Sequence, residues 1–130
     1  MEAMFRECYR VTSLEVSRFN TSNVKNMIEM FSGDFSVQIL DVSRFDTTKV
    51  TDMYGMFKDC AFVSELDVRD FKTDIVEDME VMFSGCVSLT SLDVSRFKTP
   101  KVESMAGMFR NLVDVSKLDV LSSSLYLILT

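Results

Sequence analysis

Hydrophobic positions recur along this chain at one fixed interval. The pair Met-Phe falls at Met4-Phe5, Met30-Phe31, Met56-Phe57, Met82-Phe83 and Met108-Phe109, always 26 residues apart. The same interval links Leu14, Leu40, Leu66, Leu92 and Leu118, and also Val16, Val42, Val68, Val94 and Val120. Phe19, Phe45, Phe71 and Phe97 form a further column, as do Val24, Val50, Val76 and Val102, and Met27, Met53, Met79 and Met105. Polar positions follow the same period, as Thr21, Thr47, Thr73 and Thr99 show. So many columns in one register, with no insertion, define a tandem array, and a repeat of this length means stacked supersecondary units.

Within one repeat the pattern changes period. Leu92 and Val94 alternate with polar Asp93, the signature of a half-buried strand. Thr99-Pro100 then reads as a helix start, with threonine at the N-cap and proline at the first helical position. Val102, Met105, Met108 and Phe109 share one face at helical spacing, and Gly33 and Gly85 suit a helix exit. Each unit is expected to run strand, turn, short helix, turn. No such unit buries its apolar face alone, so copies must stack, with aliphatic, Met and Phe ladders between a parallel sheet and a layer of helical turns. The expected fold class is α/β: a solenoid of about five coils sharing one parallel β-sheet, over residues 1–120. The first and last of these registers are partial.

The string from Met82 to Phe97, and the stretch from Leu40 to Cys60, resemble the BspA-like leucine-rich-repeat surface proteins. The likeness is strongest to the bacterial subgroup known as a Mycoplasma-type domain of unknown function. It spans residues 1 to about 120 and rests on a many-column pattern at the right period. The resemblance implies a leucine-rich-repeat solenoid, a module of a secreted or wall-attached protein, and a role in adhesion to host or neighbouring cells. It implies no catalytic residues. The chain departs from the pattern where Asp34 and Leu112 interrupt the column of Cys8, Cys60 and Cys86, and again after Val120, where Leu121-Ser122-Ser123-Ser124 replaces the repeat.

Composition narrows the function classes. The net charge is −6, with no basic stripe to neutralise phosphates, which argues against nucleic acid and against an anionic membrane surface. The apolar run Leu125-Tyr126-Leu127-Ile128-Leu129 is too short to span a bilayer, and no signal peptide is visible at the start. The chain has no histidine, which removes the commonest general base and metal ligand. With no Gly-rich phosphate loop and no nucleophile elbow either, no enzyme activity and no cofactor are expected.

Glu15, Asp41, Asp67, Asp93 and Asp119 sit between the inward Leu and Val of each strand, and are expected to form an acidic ladder on the outer sheet face. Arg18, Arg44 and Arg96 lie three residues on and are expected to flank it. The face reads either as a solvated, self-compensated charge pattern or as a surface for a basic partner or a weak cation site. The cysteine spacing is poor for zinc and the parallel side-chain vectors disfavour a disulfide, so a buried thiol ladder is expected and no metal. One threonine per coil reads as repeated N-capping in preference to an ice-binding face. Asn20-Thr21-Ser22 is a formal glycosylation sequon, with meaning only in a eukaryotic secretory route.

Met1 aligns with Met27, Met53, Met79 and Met105, so the chain starts inside a repeat and reads as a piece of a longer array. The 121–130 tail reads either as a terminal capping strand or as sequence foreign to the array. The functional expectation is a non-catalytic protein-interaction or adhesion module at the cell surface or outside the cell, binding a protein or cell-surface ligand through its sheet face. A structural spacer without a ligand is the alternative.

Overall fold

A computed structural model describes residues 1–33, 36–113 and the backbone of 117–119. The expectations placed on the 121–130 tail, on Val120 and on Asp34 lie outside the described residues. Successive repeats lie side by side in parallel. Strand β1 (Ser13–Leu14) pairs with β2 (Ile39–Leu40), and β3 (Ser91–Asp93) with β4 (Lys117–Asp119). The registers Leu14↔Leu40 and Leu92↔Leu118 set each column residue beside its copy in the next repeat.

These strands form two separate two-stranded sheets and not one continuous sheet. Glu65 joins β2 only through an isolated bridge to Ile39, and among the described residues pairing stops between Glu65 and Ser91. A second column of parallel bridges, Asn26↔Asp52↔Asp78↔Ser104, lies elsewhere in the repeat, where the sequence pattern gave no strand.

The expected short helices are absent among the described residues. Their place is taken by consecutive turns. The Met30 amide donates to the Met27 carbonyl at 3.3 Å and the Ser32 amide to the Glu29 carbonyl at 3.1 Å, three residues back and not four. The intervening amides point along the array. Those of Met27, Glu29, Phe31 and Gly33 donate to the carbonyls of Asp52, Tyr54, Met56 and Lys58 in the next repeat, at 2.8–3.0 Å. The following two interfaces repeat this row, from Met53 to Asp59 and from Met79 to Gly85, at 2.7–3.0 Å. A backbone that alternates in this way needs left-handed residues: Glu29, Gly55, Val81 and Gly107 at one position of the repeat, and Gly33, Asp59, Gly85 and Asn111 four residues on. At Gly85 a Cβ would lie 2.2 Å from Asp59 Oδ1, so crowding adds to the positive φ of 77°.

The core runs the length of the array. Met27, Met53, Met79 and Val50 and Val76 are fully buried, with Phe31, Phe57 and Phe83 beside them. Phe5, Phe31, Phe57, Phe83 and Phe109 form one stack, with centroids 5.6–6.1 Å apart and planes within 7° of parallel. Offset stacking of this kind adds about 0.5–1.5 kcal/mol per pair beyond the area it buries. Phe19, Phe45 and Phe71 pack against this stack at a tilt.

The threonine column does not cap helices. The Thr47 Oγ1, on a side chain that is buried, accepts from the Lys72 amide at 2.7 Å and donates to the Lys72 carbonyl at 3.0 Å. Thr21 serves Asp46 and Thr73 serves Lys98 in the same way. One hydroxyl thus satisfies both main-chain groups of a residue in the next repeat, where a buried unmet group costs about 1–3 kcal/mol.

Thr47→Val keeps the shape and removes both bonds, so the urea-unfolding midpoint is expected to drop, with a stability loss of about 1–3 kcal/mol. Val81 is a β-branched residue held at φ 50°, at a position where two other repeats carry Gly55 and Gly107. Val81→Gly is expected to raise the thermal midpoint slightly, since a left-handed L-residue costs about 1–2 kcal/mol; a fall on calorimetry contradicts this account of the turn.

Candidate functional site

Of the described acidic residues in the strand column, Glu15, Asp41 and Asp67 are exposed and Asp93 is half-buried, and each is engaged locally by its own rung. The Asp41 Oδ1 accepts from the Ser43 hydroxyl at 2.6 Å and the Ser43 amide at 3.1 Å. Asp93 takes the same two bonds from Ser95, and Glu15 from Ser17. Residue two positions on is serine in three rungs and arginine in the fourth. There Arg69 donates to Asp67 from Nε at 2.9 Å and from Nη2 at 2.8 Å, a bidentate pair. Asp119 lies in backbone register with Asp93, and its side chain is outside the described residues.

These bonds set the titration. The Ser17 and Ser43 hydroxyls hold the Glu15 and Asp41 carboxyls below their ordinary values, with the serine amides adding to the effect. The Arg69 side chain brings Asp67 down to about 2. Neighbouring rungs feel each other, since Asp41 opposes ionisation of Glu15 and Asp67 opposes that of Asp41. This mutual repulsion runs from Glu15 through Asp41 to Asp67. The flanking arginines are less uniform. Arg18 and Arg44 attract Glu15 and Asp41 across short range, whereas Arg96 reaches back one repeat to Asp70 at 3.3 Å.

Where strand pairing gives out, the surface opens. A depression of about 390 Å³ lies between the Glu65 and Ser91 rungs, lined by Glu65, Leu66, Asp67, Arg69, Thr90, Ser91, Leu92 and Asp93. A second, of about 410 Å³, lies between the Ile39 and Glu65 rungs, lined by Gln38, Ile39, Leu40, Asp41, Ser64, Glu65 and Asp67. The two share Glu65 and Asp67. Ile39 is 74% exposed at the edge of the second. The Glu65 carboxylate has no ion-pair partner among the described residues. Ile39 and Glu65 share one column with Ser13, Ser91 and Lys117, where no residue type dominates. Reading by repeat columns passes over such a position; its very irregularity is the signal.

A second acidic column follows the other line of bridges. The Asp52 Oδ1 accepts from the Tyr54 amide at 3.0 Å and the Asp78 Oδ1 from the Glu80 amide at 2.7 Å, as the Asn26 Oδ1 accepts from the Ile28 amide. Burial pushes the Asp52 carboxyl above its ordinary value, against the Tyr54 amide, and Asp78 adds to the rise.

The thiols do as expected in part. Cys60 and Cys86 are buried thiols outside any disulfide, and they donate to the carbonyls of Phe31 at 3.2 Å and Phe57 at 3.1 Å. Among the described residues no group of His, Cys, Asp and Glu is placed to hold a metal ion, and no helix is long and apolar enough to cross a membrane.

Residues 1–120 match the family described as Mycoplasma protein of unknown function, DUF285. The chain belongs to that family. No curated protein and no solved structure matches it.

The two kinds of carboxylate give opposite pH dependences. Asp67 is depressed from 3.8 to about 2, so its contribution is present above the unfolded value and is lost as pH falls toward about 2. Asp52 is raised, so its ionised form weakens the fold, and stability is regained as pH falls through the raised value. Thermal midpoints against pH should show Asp67→Asn below wild type at neutral pH, with the gap closing in acid. Asp52→Asn, which copies Asn26, should lie above wild type at neutral pH and merge with it by about pH 3.

Proposed function

We propose that this chain is a non-catalytic protein-interaction module, with the repeats forming a leucine-rich-repeat-type solenoid in which turns replace the helical layer. The bound partner is a protein or other cell-surface ligand, and the setting is a secreted or surface-attached protein with a role in adhesion. The BspA-like character of the repeat supports this, through the Leu40 to Cys60 and Met82 to Phe97 strings. The observation that carries the reading is the contrast between two sides of each repeat. The turn rows and the threonine column spend their polar groups on the next repeat. The strand face instead opens into two adjoining depressions and carries residues that differ from rung to rung.

No catalytic role is assigned. The carboxylates Glu15, Asp41, Asp67 and Asp93 serve the turns of their own rungs, and a group spent in this way is a poor general acid or base. Exposed, mutually repelling carboxylates on a rigid frame are better suited to selecting partners by charge and to speeding encounter.

A spacer that binds nothing is separated from this reading by biolayer interferometry of the immobilised chain against a panel of extracellular and cell-surface proteins. The module is expected to give at least one saturable partner, weakened by Asp67→Asn with Asp93→Asn. An absence of saturable partners, or binding that is indifferent to those two changes, favours the spacer.

A further inference from the structure

We draw no further inference here: the strongest candidate, the open face of the first coil, where Met4 is 52% exposed and Phe5, Leu14 and Phe19 are only half-buried although Phe31, Leu40 and Phe45 one repeat on are buried, carries nothing because nothing in the structure shows what covers it.

Discussion

In the turn segment that follows Met27, four amides in a row donate in one direction, to carbonyls one repeat ahead, and the next two interfaces do the same. This row fixes the register of everything around it. In an ordinary parallel strand, amides point alternately to either neighbour. Here the amides of Met30 and Ser32 close turns within the repeat, which frees those of Met27, Glu29, Phe31 and Gly33 to aim together along the array. Because the peptide units line up head to tail across successive repeats, their dipoles add along the axis, as they do in a helix. An insertion of one residue would send each amide toward the wrong partner and each side chain to the wrong layer. That is a physical reason for the unvarying period.

The phenylalanine stack follows from the same constraint. Rings borne at one position of a rigidly repeated backbone have to lie parallel, and the spacing of 5.6 Å from Phe31 to Phe57 lets them sit offset in a favourable arrangement. The thiols of Cys60 and Cys86 exploit the same geometry, each reaching a phenylalanine carbonyl in the preceding repeat. Thr21, Thr47 and Thr73 hold the far corner in step. Backbone row, ring stack and hydroxyl column thus enforce one displacement at three places around each repeat.

The repeat, its period and the pairing of like with like were legible in the sequence, because columns such as Leu14 and Leu40 can only be satisfied by side-by-side stacking. The helices were not. Val102, Met105, Met108 and Phe109 have helical spacing, yet a tight series of turns that buries Met105 and Met108 on one side yields the same spacing. The glycines held the answer. Gly55 and Gly107 fall in the interior of the supposed helices, four residues before the position of Gly33 and Gly85 in the repeat, and both positions are left-handed. A glycine in a helix interior is a cost without a purpose, whereas two left-handed positions four apart define turns. The threonines misled for a related reason: a hydroxyl before an apolar run suits a cap, and only the neighbouring repeat reveals the main-chain pair that it serves.

The open strand-face depressions leave no mark in the repeat columns. Averaging over copies finds what every rung needs, which is structure. Function in a repeat array depends on what one rung does differently. The acidic column repeats because each carboxylate closes a turn with the residue two positions on, and that duty is discharged on the rung itself: even Asp67, with Arg69 in place of serine, keeps it. Ile39 and Glu65 have no such duty. Neither is buried, and neither side chain supports a turn or a ladder among the described residues. Glu65 also stands where strand pairing between rungs stops, and both side chains are exposed, so the frame neither dictates their identity nor covers them. On the interaction-module reading proposed above, residues that are free of structural work, adjacent in space and different from their counterparts in the other repeats are where a partner would be discriminated without disturbing the register that holds the array together.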